Sequence, residues 1–431
     1  MVAVDPRIER PTADLIVEHA AELLVCPPQG DGLGLIGDAA LAARSGRILW
    51  VGPSAELDEH AARDRQTTVL DARDKLVMPG LVECHTHLIF GGSRAHEYQL
   101  RIAGASYAEI AAAGGGIMSS VRATRAASDE ELRARGRERL RRFLRHGVTT
   151  LEAKSGYGLS TEQELRLLGL YAQLDGQQPV SIVPTFLGAH VVGPEYRDAP
   201  ERYVELLIEE MIPEVARGKL ARFCDVFCEE GAFSLAQSRR ILAAGLEHGL
   251  RPKLHAEQFA ARGGAALAAE LGAVSADHLD AVDAAGIAAL AAFGVTAVLL
   301  PGAVVFLGLS EFAPARRLLE AGAHVAISTD FNPGTCPCEA PMLIATLASS
   351  YLKMTAVEVI RGLTCEAARA LALEDQVGSL MPGYQADLLL LDLPGHEELP
   401  YRFGGARVET VMKAGVVVIE AAAGIAGEGR A

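Results

Sequence analysis

Residues 78–94 read MPGLVECHTHLIFGGSR. In an extended strand alternate side chains share a face, so His85 and His87 project together. Two neutral imidazoles converging on one point form a metal-ligand pair. Leu81 and Val82 lead into the pair and Gly91 and Gly92 follow it, the pattern of a buried strand that ends in a tight loop. Loops at strand ends carry chemistry. An isolated HxH pair is weak evidence, and the remaining ligands must come from elsewhere in the chain.

Working outward, a strand-then-helix alternation recurs eight times. The first strand is expected over 81–87, the second to fourth over 148–153, 180–186 and 221–228, and the last four over 252–255, 274–278, 296–300 and 324–328. Helical patterns separate them, the clearest at 128–144 with a capping box from Ser128 and Glu131, and at 161–174 with another from Thr161 and Glu164. Arginines in 133–145 alternate with glutamates and with Leu132, Leu140 and Leu144 at helical spacing, which predicts a solvated outer face. Ala-rich stretches at 263–271 and 283–292 read as helices. Eight such units make a barrel. Short β-rich segments with Gly and Pro turns flank it at both ends. The expected fold is α/β: a (β/α)8 TIM-type barrel over 79–377, with a small composite β-sandwich built from 1–78 and 378–431.

Composition bounds the rest. The chain has 431 residues, is 50% hydrophobic and has a mean hydropathy of +0.19, enough for a sizeable core. Its apolar runs are too short to span a membrane, and the acidic, mixed start of the chain does not read as a secretion signal. A cytoplasmic setting is expected. Seven cysteines without zinc-finger spacing read as reduced thiols. The net charge of −15 argues against a nucleic-acid partner and requires a local cation for any anionic substrate.

In such a barrel the C-terminal ends of the strands line the active site. Five polar residues fall there: His85 and His87 on the first strand, His255 on the fifth, His278 on the sixth and Asp330 just past the eighth. This pattern resembles the amidohydrolase superfamily, with HxH on strand one, His on strands five and six and Asp on strand eight. The finer motifs HTHLIFGGSR (85–94), KSGYGL (154–159), GAH (188–190), HAEQ (255–258), SADHL (275–279) and STDFNPGT (328–335) resemble the imidazolonepropionase family.

Opening a cyclic amide at neutral pH needs a strong nucleophile, and a metal provides one by lowering the pKa of water toward ~7. There is no GxSxG motif, and Cys84 falls on the face opposite the histidines. With the resemblance, His85, His87, His255 and Asp330 are the expected ligands of one divalent ion, Zn(2+) or Fe(2+), which ligand type does not distinguish. Only Glu229 and Glu230 could bridge a second ion, and Lys154, on the second strand, is expected to be structural or loop-ordering. Asp330 and His278 are the candidates for proton transfer and oxyanion stabilisation, in an order left open. Superfamily base deaminases carry Glu three residues after the strand-five His. Gln258 stands here and cannot titrate, while Glu257 should point away.

Arg94 is the natural clamp for a substrate carboxylate. The resemblance implies substrate contacts from Tyr157, His190, Gln258 and Thr335, and product contacts from Asn332 and Gly334. It also implies hydrolysis of 4-imidazolone-5-propanoate to N-formimidoyl-L-glutamate by a homodimer in histidine degradation. The alternatives are a related hydrolase of another cyclic amide or aminated heterocycle, and a non-catalytic barrel. The roles of Cys336 and Cys338 stay open.

Overall fold

Sixteen strands divide into two sheets of eight in the computed structural model, which describes residues 10–105, 109, 114–405 and 407–420. Residues 1–9, at the start read above for a secretion signal, lie outside the described residues. The first sheet takes strands from both chain ends: β1 (Leu15–Leu24), β2 (Leu35–Arg44), β3 (Arg47–Pro53), β4 (Thr68–Asp71) and β5 (Leu76–Pro79), then, after the barrel, β14 (Leu388–Leu391), β15 (Val408–Lys413) and β16 (Val416–Glu420). Hydrogen bonds join them in the order β16-β15-β14-β5-β1-β2-β3, with β4 beside β1. The two ends meet where β5 pairs antiparallel with β14, Met78 opposite Leu389. Their shared core includes Leu15, Leu41, Val77, Leu388 and Met412. Gly80 alone separates β5 from the barrel, so the small sheet anchors the first barrel strand.

The barrel strands are β6 (Leu81–Glu83), β7 (Val148–Lys154), β8 (Ser181–Ala189), β9 (Phe223–Cys228), β10 (Arg251–Ala256), β11 (Ser275–His278), β12 (Thr296–Leu299) and β13 (Val325–Ile327). All pair in parallel with their sequence neighbours, as expected of consecutive βα units. Each strand overlaps the segment expected for it, with ends shifted by a few residues at most. The seam between first and last strands is closed past their ends. Thr86 bridges Phe331, the His87 N–H donates to the Phe331 carbonyl at 2.8 Å, and the buried Glu83 carboxylate accepts from the Thr329 N–H at 3.0 Å and from the Ser328 hydroxyl. This closure brings the HTH segment beside Asp330.

Two helical expectations need correction. The Ser128 capping box forms, but Thr161 and Glu164 make none: Ser160 caps that helix through the Gln163 N–H. Glu164 is buried and turned back, its carboxylate accepting from the N–H groups of Gly156, Gly158 and Leu159 at 3.0, 2.7 and 2.8 Å. Three backbone donors outweigh one cap. In the arginine-rich helix Asp129–Arg145, Arg139 is not on the solvated face. Its guanidinium lies 3.5 Å from the Phe90 ring centroid and donates to the Leu88 carbonyl at 2.7 Å, pinning the loop after the histidine pair. No helix among the described residues is long and apolar enough to cross a membrane.

Candidate active site

The mouth of the barrel holds a cavity of about 1160 Å³, walled by His87, Tyr157, His190, His255, His278 and Asp330 among others. Strand geometry gathers the ligand candidates at it, with His85 buried behind the others. His85 and His87 sit on the short extended run held by Phe331, with ring centroids 5.7 Å apart. His255 comes from β10, its ring 4.5 Å from that of His85, and His278 ends β11, 5.6 Å from His85 and 5.4 Å from His255. Asp330 Oδ1 lies 3.5 Å from His85 Nε2 and 3.9 Å from His87 Nε2. His278 (φ 78°) and Asp330 (φ 53°) have left-handed backbone, uncommon for residues with a Cβ and concentrated at functional sites.

Two overlapping sets of donors have spacing suited to a cation, His85–His87–Asp330 and His85–His255–His278, with His85 in both. The chemistry of the donors fits a divalent ion on three counts. First, His85 Nδ1 lies 2.7 Å from Asp277 Oδ2 and His255 Nδ1 lies 3.0 Å from Asp225 Oδ1. Each carboxylate fixes the tautomer that leaves Nε2 lone pairs facing the site. Second, both Nε2 atoms are buried without a hydrogen-bond partner among the described residues, a costly arrangement that a metal relieves. Third, the buried charges do not balance by themselves. The fully buried Lys154 and Lys253 face three carboxylates, Glu152, Asp225 and Asp277, one more negative charge than the two ammonium groups offset, and a cation at the histidines relieves it.

Burial lowers the pKa of His85, His87 and His255 well below the ordinary range, so all three are neutral and able to ligate. Burial likewise takes His278 and His190 down to about 4. Asp330 is pushed up to about 7 by burial, against hydrogen bonds from Asn332 and Thr335. A carboxyl poised there can exchange a proton near neutral pH.

The residues expected to meet substrate surround this cluster. Tyr157 and His190 pack on His87, with centroids at 5.7 and 5.1 Å, and His190 Nδ1 lies 3.1 Å from the Gly156 carbonyl. Arg94 reaches the cavity wall with Nε 2.9 Å from Glu97 Oε2. Gln258 faces the cavity, its backbone N–H held by Glu229 at 2.6 Å. Asn332 is largely committed to its own turn: its amide donates to the Asp330 carbonyl and Thr335 Oγ1 and accepts from the Gly334 and Thr335 N–H groups. Thr335 Oγ1 in turn donates to Asp330 Oδ2 at 3.3 Å. Neither acidic candidate for bridging a second ion is directed to that task. Glu229 is bonded to the backbone at 258 and 259, and Glu230 pairs with Arg262. Glu257, at φ 55°, turns its carboxylate to the Gly263 N–H, away from the histidines.

Sequence reasoning missed Asp225, Asp277 and Glu152, which lie beneath the histidines, and Arg139. A signal was available for the first two: a carboxylate in mid-strand on an apolar barrel strand needs a buried partner.

An amidohydrolase family model matches residues 109–419. An imidazolonepropionase from Shouchella clausii is 47% identical over 90% of this chain and 87% of its own. One from Herpetosiphon aurantiacus is 46% identical over 95% of this chain and 98% of its own. Among solved structures, a zinc-bound adenosine deaminase from Xanthomonas campestris is similar at a TM-score of 0.69 and 21% identity, covering 96% of this chain and 94% of that one. A 5-methylcytosine deaminase from Klebsiella pneumoniae is similar at 0.72 and 18%, covering 95% and 98%. Likeness at that identity speaks for the fold alone.

Proposed function

The chain belongs to the imidazolonepropionase family of amidohydrolases, and on that premise we propose that it hydrolyses 4-imidazolone-5-propanoate to N-formimidoyl-L-glutamate. The observation that carries the reading is the neutral, tautomer-fixed pair His85 and His255, His85 Nε2 3.5 Å from Asp330 Oδ1, at a cavity lined by His255, Asp330 and the Arg94 guanidinium. His85, His87, His255 and Asp330 would hold one divalent ion, zinc or ferrous iron. Such an ion polarises a carbonyl and lowers the pKa of water toward ~7.

The chain's own groups do the rest. Arg94 receives the propionate by charge-assisted hydrogen bonds, which orients the flat ring over the histidines. Tyr157 and His190 form one wall against the ring, and Gln258 offers it an amide. Water adds to the ring carbonyl carbon and the adjacent carbon–nitrogen bond breaks. Asp330 takes the water's proton on Oδ2 and returns it to the departing ring nitrogen, with Thr335 Oγ1 3.3 Å from that oxygen. His278 supports the developing oxyanion through its ring. All seven cysteines are unpaired and six are buried, which supports a reducing, cytoplasmic setting.

The test mixes purified protein, loaded with zinc or iron, with freshly prepared imidazolone propionate and follows its ultraviolet absorbance. Metal-dependent loss of absorbance is expected. No loss with either ion would reject the proposal, and metal analysis of protein purified without added metal decides between zinc and iron.

A further inference from the structure

Beneath the metal-ligand cluster the barrel interior contains a five-membered ionic network with no contact to solvent. Lys154 Nζ lies 2.7 Å from Asp225 Oδ2, 3.4 Å from Asp277 Oδ2 and 2.8 Å from Glu152 Oε2. Lys253 Nζ lies 2.9 Å from Glu152 Oε1 and donates to the Cys84 and Ala370 carbonyls at 3.3 Å. The two lysines are equally buried but differently placed. Lys154 is within hydrogen-bond reach of both carboxylates that hold a ligand histidine, whereas Lys253 hydrogen-bonds to neither. The chain of contacts runs His255, Asp225, Lys154, Asp277, His85, with the ammonium closer to Asp225 than to Asp277. Lys154 also grips the first strand through its backbone, its N–H donating to the carbonyl of Thr86, the residue between His85 and His87, at 2.9 Å. Its own carbonyl accepts from the Tyr171 hydroxyl at 2.8 Å.

We infer that Lys154 is a positioning residue for the metal centre: one ammonium, by holding Asp225 and Asp277 at once, sets the orientation of His85 and His255 together. Ser275 Oγ also donates to Asp277 Oδ1 at 2.5 Å, but Oδ2, which faces His85, is bonded to the Lys154 ammonium; without that cation the two carboxylates repel, and each turn carries an imidazole with it. Lys253 is the internal comparison, a buried ammonium of the same network that acts on Asp277 through its charge but hydrogen-bonds to backbone carbonyls and to neither of the two aspartates. The inference rests on the histidines being metal ligands and is independent of which substrate is hydrolysed.

The experiment measures zinc affinity of the full chain by competition with a chromophoric chelator, in wild type, Lys154→Met, Lys253→Met and the charge-conserving double variant Lys154→Met/Glu152→Gln. Thermal unfolding is recorded for each. Loosening both outer-shell carboxylates of the ligand histidines should weaken zinc binding about 10-fold, the low end of what losing such a partner outright costs, in both variants that lack Lys154. Lys253→Met should lower the melting temperature while leaving zinc affinity within about threefold. In zinc-saturated protein the variants lacking Lys154 should lose kcat with KM nearly unchanged, because the carboxylate clamp at Arg94 is elsewhere. Wild-type affinity in the double variant, an equal loss in Lys253→Met, or failure of both Lys154 variants to fold would overturn the inference and leave Lys154 a support of the fold. Failure of wild type to bind zinc or ferrous iron would instead strike the metal-centre reading itself.

Discussion

The guanidinium of Arg94 occupies the space that a side chain at residue 334 would need: a Cβ built on Gly334 would fall on Nη1. Glycine at 334 lets the guanidinium lie directly against the turn after Asp330; a methyl there would push aside the flexible end of the arginine.

Two substitutions test this wall together. Arg94→Ala removes the proposed charged partner of the propionate and should raise KM about 10- to 100-fold with a smaller change in kcat, since the carboxylate is remote from the bond broken. Gly334→Ala leaves the arginine present but displaces it, and should raise KM in the same direction. Steady-state kinetics on both variants checks this; an unchanged kcat/KM in Arg94→Ala removes that residue from the site.

Glu164 organises the loop bearing Tyr157 through three backbone N–H groups. Glu164→Ala leaves those donors buried and unpaired and should cost about 2–4 kcal/mol of stability. KM should rise as well, because Tyr157 and the Gly156 carbonyl that orients His190 lose their support. Urea unfolding with parallel kinetics checks both parts, and a variant of wild-type stability would contradict the account.

Arg139 and Arg135 lie on one helix and should behave oppositely. Arg139→Met removes a donor from the buried Leu88 and Phe90 carbonyls and a cation from the Phe90 face, for a loss of about 2–3 kcal/mol. The exposed Arg135→Met should stay within about 0.5 kcal/mol of wild type. Equal effects in denaturant titrations would show that the buried guanidinium has no special part.

Stability should fall on mild acidification. Burial holds His190 and His278 at about 4 in the folded chain, against about 6.5 unfolded. Because the folded values are depressed, the unfolded chain binds protons first, so stability is full above the unfolded value and is lost as pH falls from there toward 4. At pH 5 the loss is about 2 kcal/mol for each of the two, offset in part by Asp330, whose carboxyl, raised to about 7, takes up its proton in the folded chain first. Calorimetry at pH 7 and pH 5 measures it; an equal or higher melting temperature at pH 5 would contradict the burial of neutral rings.

Much of this protein is determined by its sequence alone. Eight alternations of apolar strand and amphipathic helix specify a parallel barrel, because period-2 and period-3.6 patterns cannot exchange roles. Barrel geometry then places every strand end on one face, so His85, His87, His255, His278 and Asp330 could be gathered from their positions in the alternation before any distance was known. The tertiary structure decided what those residues rest on. Lys154 meets Asp225 and Asp277 across 71 and 123 residues, Arg139 turns inward to carbonyls 51 and 49 residues back, and Glu164 leaves its cap for the backbone of the preceding loop. Local propensity contains no information about such partners: a buried charge takes whatever counter-charge the packed strands bring within reach, and that is settled only when the barrel closes. The HTH segment shows both parts. Its spacing put two imidazoles on one face, and the seam at Thr86 and Phe331 brought Asp330 beside them.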